Sequence, residues 1–165
     1  MSFPNDTITI HPIGIIHTEH KLEHGAPIQP AVAKKSLGEV IIFPEYREGL
    51  ADLEGFERIW ILFWCDRAKP FRLRVIPYRD VVKRGLFATR SPSRPNPIGI
   101  SPVKLLSVNI EEGILKIECA DMLDETPLLD IKPYSPEFDS HASAKAGWLD
   151  LVGPGTNSAG KRFTK

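Results

Sequence analysis

The sequence predicts a single all-β domain, mainly an antiparallel β-barrel with short helical turns. The chain of 165 residues holds 15 prolines, about 9% against a usual value near 5%. Because proline breaks helix interiors, few places remain for a long helix. Apolar and polar residues alternate over short segments bounded by proline and glycine, which is typical of half-buried strands. Apolar residues make up 42% and charged residues 25%, an ordinary globular composition that excludes a disordered chain.

The first predicted strand covers residues 8–16 and is interrupted at Pro12, which has no N–H to donate. A short apolar strand follows at Glu39–Phe43. The run Ile59–Cys65 is rich in β-branched and aromatic residues without a period of two, which predicts a strand buried on both faces.

The next segment, Arg72–Ile76, alternates basic with apolar residues and predicts another strand. Val103–Ile110 and Ile114–Cys119 flank a turn that ends in glycine, which predicts a hairpin. Only Glu45–Phe56 offers room for one or two helical turns. Many short strands with proline- and glycine-rich turns favour a barrel or sandwich.

We expect one domain over residues 1–152 and a flexible tail over residues 153–165, which is rich in glycine, serine and lysine. Cys65 and Cys119 form no C-x-x-C pair, which argues against a disulfide scaffold and a thiolate zinc site. The longest apolar run is too short to span a bilayer. The first residues lack the features of a signal peptide. These observations predict a cytoplasmic protein that is not bound to a membrane.

Opposite charges are segregated along a chain with zero net charge. Residues 67–104 contain ten Lys or Arg and one acid, a balance of 10 − 1 = +9. Residues 105–139 contain nine acids and two lysines, a balance of 2 − 9 = −7. The basic block predicts a surface for an anionic partner. Pairing of the two blocks across a sheet is an equally open interpretation.

Two motifs suggest ligand sites that their context does not support. The segment Gly155–Lys161 has P-loop spacing, but Arg162 stands where a magnesium-binding Ser or Thr is needed and no helix can follow. His17, His20 and His24 lie close together in sequence, but they match no known zinc spacing. We therefore expect no metal, and a solvated loop near an active site at the histidines.

Residues 85–103 form a stiff basic loop that predicts a binding site. Prolines on both sides of Asn96 restrict its backbone angles, so Arg94 and Asn96 are presented from a preorganised platform. The segment 121–134 concentrates acids, namely Asp121, Asp124, Glu125 and Asp130, among turn residues. These acids either cap turns or lie opposite the arginines, where they position a polar ligand or accept a proton.

Two long runs carry a resemblance to a known family. "GLFATRSPSRPNPIGIS" (Gly85–Ser101) and "DMLDETPLLDIKPY" (Asp121–Tyr134) are similar to the two signature blocks of the TrmO/YaeB family. The similarity continues at Ile13–Thr18, at Glu48–Phe63 and at Pro136–Asp139. This resemblance implies a small β-barrel that uses S-adenosyl-L-methionine to methylate the exocyclic nitrogen of threonylcarbamoyladenosine beside the tRNA anticodon.

The resemblance also implies site residues. The implied cofactor contacts are Pro27, Ile28, Gln29, Asp66, Arg67, Arg90, Ile100, Leu123, Asp124, Glu125 and Thr126. The implied substrate contacts are Arg94, Asn96, Asp130, Lys132 and Tyr134. Arginine and lysine suit the threonyl carboxylate and phosphates, and Tyr134 suits stacking on a flipped base.

Asp124 is the predicted catalytic residue, because a carboxylate beside the acceptor nitrogen could take its proton. The chain departs from the common family pattern at Ile28, Arg58, Asp66 and Glu125, which stand where arginine, histidine, histidine and glycine are usual. The family analogy predicts a two-fold homodimer and tRNA as partner. The alternatives are a non-catalytic S-adenosylmethionine- or RNA-binding module, a sensor that uses the cofactor pocket, and a methyltransferase with a different acceptor.

Overall fold

A computed structural model describes residues 7–21 and 36–152 of the chain. The predictions for Pro27, Ile28, Gln29 and His24, and for the tail 153–165, lie outside the described residues. Strands and helices have these bounds: β1 (Gly14–Thr18), β2 (Leu37–Ile42), β3 (Arg58–Trp64), β4 (Arg74–Val75), β5 (Arg84–Gly85), β6 (Ile98–Asn109), β7 (Ile114–Glu118), β8 (Thr126–Pro133), α1 (Pro136–Asp139), and 3₁₀ turns at Pro44–Leu50, Leu53–Gly55, Leu86–Ala88 and Gly147–Leu151.

Six strands form a closed antiparallel barrel in the order β1-β2-β7-β6-β3-β8, and β4 pairs with β5 in a separate two-stranded sheet. The predicted fold class is confirmed. The core fills the barrel with aliphatic side chains from alternate strand positions, as the two-residue period of a strand requires. Ile16, Val40, Ile59, Val103 and Leu128 are all fully buried there.

The ends of the barrel differ in what they carry. At one end, named here the upper end, β1, β3 and β7 finish and β2, β6 and β8 begin. The 119–125 segment and the long connection 65–97, named here the arm, both leave from this end. The backbone N–H of Cys65 donates to the carbonyl of Pro97 at 2.7 Å, so the first and last residues of the arm lie side by side.

Several predictions of local structure needed correction, and residues 98–103 of the predicted loop already belong to β6. The predicted strand over residues 8–16 begins only at Gly14, because Ile8 and Ile10 are 85% and 47% exposed and no other strand among residues 7–21 and 36–152 pairs with them. The run Ile59–Cys65 is buried on one face only, and its alternate side chains are half-buried. Thr126–Pro133, interpreted from sequence as turn residues, is the eighth strand, because pairing with β1 and β3 satisfies its backbone.

Barrel closure requires a glycine in β1. A Cβ built on Gly14 would lie 2.3 Å from the carbonyl oxygen of Ile41 on β2. Such a contact forces the two strands apart, and they cannot separate without disturbing the pairing of β1 with β8.

We expect Gly14→Ala to lower the free energy of unfolding by about 2 kcal/mol, a typical cost for overpacking at a fixed backbone. Urea denaturation measures the change. Gly49→Ala is the matched control, because nothing lies within 4 Å of the added methyl group there. Equal losses in the two variants would show that close approach at Gly14 is not the cause.

Candidate functional site

The Asp124 carboxylate lies at the upper end and holds three groups from the end of β1. Its Oδ1 accepts a hydrogen bond from the backbone N–H of Thr18 at 3.0 Å and lies 3.3 Å from Nδ1 of His17. Lys21 donates to its Oδ2. The carboxylate is buried, and these partners, Lys21 first, lower its pKa to about 2. Asp124 is therefore ionised at neutral pH and already satisfied.

Arg67 joins the arm to the same turn. Its Nη2 donates to the carbonyl oxygen of Asp124 at 2.5 Å and to Oγ1 of Thr126 at 3.3 Å. Its Nε lies 3.4 Å from Oδ1 of Asp66. The fold thus brings together the predicted cofactor residues that follow β3 and those that precede β8, although 55 residues or more separate them in sequence.

A second carboxylate, the half-buried Asp121, lies in the same segment. Ser101 donates from Oγ to Oδ1 of Asp121 at 2.6 Å. Burial raises the pKa of Asp121 to about 6, against the opposing attraction of Arg90. Burial, together with the charges of Asp121 and Asp66, raises the pKa of the Cys65 thiol to about 11. The upper end therefore holds two carboxyls with opposite pKa shifts.

The remaining predicted residues of the arm occupy different surroundings. Arg90 is exposed and close enough to Asp121 to favour its ionised form. Arg94 donates to the carbonyl of Thr89 at 3.0 Å, and its guanidinium lies 5.5 Å from the ring centre of Phe87. Arg94 therefore also stabilises the loop itself.

Two further residues of this set are exposed. Asn96 is exposed just before β6, and Ile100 is 54% exposed on the outer face of that strand.

The other predicted substrate residues lie away from Asp124. Lys132 and Tyr134 are at the end of β8 opposite Thr126, and six residues of strand span about 20 Å. Tyr134 packs on Trp60 with ring centres 5.6 Å apart. Lys132 lies 2.8 Å from Asp130, its neighbour on the outer face of β8. The fold of one chain does not bring these residues to the upper end.

Sequence reasoning missed the residues that hold the acids. Ser101 and Thr18 are small polar residues inside apolar strands, and no local pattern marks them as partners of Asp121 and Asp124. Thr18 also donates from Oγ1 to the carbonyl of Met122 at 2.9 Å, which pins the 119–125 segment to β1. Nε2 of His20 lies 2.7 Å from Oγ of Ser36, so His20 also helps to hold this part of the upper end together.

An open groove of about 500 Å³ runs beside Asp124 on the outer face of the barrel. Its volume lies within the range of ligand sites. Its lining residues are His17, Thr18, Lys21, Leu37, Gly38, Glu39, Leu106, Lys116, Ile117 and Asp124. The groove shares Asp124 with the predicted cofactor residues, whereas Arg67, Arg90 and Ile100 lie outside it.

Residues 15–140 match the family model described as the tRNA-methyltransferase O N-terminal domain. The chain belongs to the TrmO family. A protein of Pyrococcus abyssi described as "Probable S-adenosyl-L-methionine-binding protein" is 50% identical over 143 residues, covering 87% of this chain and 77% of its own. A tRNA (adenine(37)-N6)-methyltransferase of Escherichia coli is 37% identical over 149 residues, covering 82% of this chain and 61% of its own.

The fold matches a crystal structure of TrmO from Pseudomonas aeruginosa with a TM-score of 0.74 at 34% identity. The match covers 90% of this chain and 64% of the TrmO chain. The chain thus spans less than two thirds of the Escherichia coli relative and of this solved structure. No helix among the described residues is long and apolar enough to cross a membrane.

The TrmO-family turn before β8 has an unusual backbone in this chain. Glu125 stands where the family pattern usually has glycine, and it adopts a φ of 61°. Glycine adopts this left-handed conformation without steric cost, whereas other residues do so rarely. The geometry therefore explains the usual glycine, and Glu125 places an exposed acid beside Asp124 and Thr126.

Burial of Asp121 makes stability depend on pH. The folded-state pKa of about 6 lies above the ordinary 3.8, so the fold is favoured below pH 4 and loses this contribution as pH rises through 6. We expect Asp121→Asn to raise the free energy of unfolding at pH 8 by on the order of 1–3 kcal/mol, and much less at pH 4. Urea denaturation at both pH values measures this difference.

The matched control is Asp130→Asn, because the Asp130 side chain is 43% exposed on the outer face of the barrel. It should give no such pH-dependent gain. A gain of equal size in both variants would contradict the role of burial at Asp121.

Proposed function

We propose that this protein transfers the methyl group of S-adenosyl-L-methionine to the exocyclic nitrogen of threonylcarbamoyladenosine beside the tRNA anticodon. The observation that carries the proposal is the contact of Arg67 with Asp124 and Thr126, which joins the arm to the second signature block of the TrmO family. Membership of that family and the names of the relatives support the reaction class and the cofactor.

The residues at the upper end fit the cofactor by their chemistry. S-adenosyl-L-methionine has a carboxylate, an ammonium group, a ribose diol and a sulfonium, and it supplies an activated methyl group. Arg67 and Arg90 provide donors for the carboxylate, whereas Asp66 provides an acceptor for the ammonium or the diol. Leu123 and Ile100 provide apolar surface. Asp124, Glu125 and Thr126 form the turn on which this set is arranged.

The chain acts on the acceptor by alignment and by proton removal. Displacement at a sulfonium methyl needs the nucleophile held in line, which fixed side chains at the upper end provide. The acceptor nitrogen loses a proton as it gains the methyl group. Desolvation raises the pKa of Asp121 to about 6, whereas the hydrogen bond from Lys21 lowers the pKa of Asp124 to about 2, so Asp121 is the stronger base of the two carboxylates. We therefore assign proton removal to Asp121.

The predicted catalytic role of Asp124 stays a prediction, and its contacts support a positioning role. It fixes Thr18, His17 and Lys21 at the end of β1 while Arg67 holds its backbone. A residue that organises four groups would affect binding of cofactor and RNA together.

A homodimer would complete the substrate site. Arg94 and Asn96 lie on the arm, whereas Lys132 and Tyr134 lie at the other end of the barrel in the same chain. A two-fold pair of chains would bring the lower end of one barrel, which is the end opposite the upper end, to the arm of the other. This arrangement, and action in the cytoplasm, belong to the proposal.

The direct test is methyl transfer from labelled S-adenosyl-L-methionine to tRNA with and without the threonylcarbamoyl group, followed by mass spectrometry of the nucleosides. We expect methylation of the modified tRNA only. Methylation of the unmodified tRNA alone would mean a different acceptor. Cofactor binding without transfer to either RNA would favour a binding module. Light scattering of the same preparation reports the dimer.

Arg90 should contribute to cofactor affinity through its fork of donors. We expect Arg90→Lys to raise the S-adenosyl-L-methionine Kd severalfold and Arg90→Ala to raise it more, as measured by calorimetry. Arg74→Lys serves as a control, because Arg74 is an exposed arginine of the arm that donates to the carbonyl of Lys83 and not to a predicted cofactor residue. Unchanged affinity in both Arg90 variants would place the cofactor elsewhere.

Substitutions of Asp121 and Asp124 should change the pH dependence of kcat in different ways. With Asp121 as proton acceptor, wild-type kcat should fall as pH drops through 6, because protonation removes the base. Asp121→Asn should lower kcat by about 10²-fold and abolish that limb. Asp124→Asn should keep the limb and chiefly raise the KM values. A wild-type kcat in Asp121→Asn would remove it from proton transfer.

A further inference from the structure

The arm has a large positive net charge, which an equal negative charge on the rest of the chain offsets. Residues 65–97 contain nine Lys or Arg and two acids, a balance of 9 − 2 = +7, whereas the whole chain has 21 of each sign. The remaining residues therefore total −7. A neutral protein thus has one strongly basic segment, and this segment leaves from the upper end of the barrel.

Both acids of the arm already pair with arginines of the arm. Asp80 accepts from Nη2 of Arg84 at 2.6 Å, and Asp66 lies 3.4 Å from Nε of Arg67. Among the described residues, no acidic side chain lies within salt-bridge distance of Arg72, Arg74 or Lys83, which the sequence places around the β4–β5 hairpin. All three are exposed.

The hairpin is held in place. Strands β4 and β5 pair through Arg74 with Gly85 and Val75 with Arg84. The Nη2 of Arg74 donates to the carbonyl of Lys83 at 3.1 Å, which fixes the guanidinium without neutralising its charge.

The following turn is anchored by Trp148, whose Nε1 donates to the carbonyl of Ala88 at 2.8 Å while its ring lies 5.3 Å from the guanidinium carbon of Arg84. Hydrogen bonds therefore hold in place the hairpin that carries these cations.

We propose that Arg72, Arg74 and Lys83 form a phosphate-binding surface that holds the RNA backbone beside the methylation site. Exposed cations on a basic hairpin suit phosphates, because the contacts need no base readout and gain affinity from counterion release. The arm leaves the barrel at the upper end and returns there, which attaches this basic segment to the same end as the candidate site. Phe71, which directly precedes Arg72 and is 46% exposed, provides stacking surface.

This inference rests on the proposed function for the identity of the RNA, and a binding assay tests it separately from catalysis. The variant Arg72→Gln/Arg74→Gln/Lys83→Gln removes three charges outside the residues assigned to cofactor or proton transfer. Its affinity for one whole tRNA transcript and for the isolated anticodon stem–loop is measured at several salt concentrations, beside calorimetry with S-adenosyl-L-methionine.

We expect the tRNA Kd to rise about tenfold or more near 0.1 M salt, and the slope of log K against log salt to fall in magnitude by about 2 to 3. Cofactor affinity and the unfolding midpoint should be unchanged. Arg72→Lys/Arg74→Lys should retain most of the salt dependence, because charge is kept. Lys104→Gln matches Lys83→Gln in charge but lies on β6, 3.8 Å from Glu118, and should leave the slope unchanged.

The outcomes separate the two proposals. A reduced slope in a protein that methylates neither RNA would support the surface and remove the proposed reaction. Methylation with an unchanged slope in the triple variant would overturn the surface. A change from dimer to monomer in the triple variant, with the slope kept, would also overturn it and identify the hairpin as a contact between two copies of this chain.

Discussion

Closure of the barrel depends on the contact between the end of β1 and the turn before β8. The two strands pair over only Gly14–Ile16, and Pro127 in that stretch has no N–H to donate. Asp124 extends the contact through the N–H of Thr18 and the side chain of Lys21. An ionised, buried carboxylate is a strong acceptor for such donors. The candidate site therefore lies where the ladder between β1 and β8 is short and contacts of Asp124 extend it.

The same contact links stability to chemistry. Arg67 reaches from the arm to the carbonyl of Asp124, so the arm, β1 and β8 are joined at one turn. Asp121 lies in the same segment, accepts a hydrogen bond from Ser101 and is mainly affected by desolvation. Two carboxyls three residues apart thus have opposite pKa shifts, because one has partners for its charge and the other is mainly desolvated. Such pairs are typical of sites that divide positioning from proton transfer.

Much of the fold could be predicted, because its signals are local. Proline spacing excluded long helices, the 114–119 alternation marked a strand, and the 45–56 segment holds the short 3₁₀ turns that were expected. The wrong predictions concern whether a segment has another strand to pair with. Ile8 and Ile10 alternate like a strand but have no pairing partner in the part of the chain that the structure describes. Thr126–Pro133 looks like a turn and becomes a strand because β1 and β3 pair with it. Whether a segment forms a strand depends on a second segment that pairs with it, and the sequence of the first segment alone does not show that partner.

By itself, the sequence determined the all-β class, the basic arm and the two blocks of the TrmO family, since each is written in consecutive residues. Only the tertiary structure decided which of those residues meet. It joined Arg67 to Asp124, and it separated Lys132 and Tyr134 from both, because a strand advances about 3.3 Å per residue and carries its ends apart. It also decided the charge states of Asp121 and Asp124, because a pKa depends on burial and on partners that folding brings from distant parts of the chain.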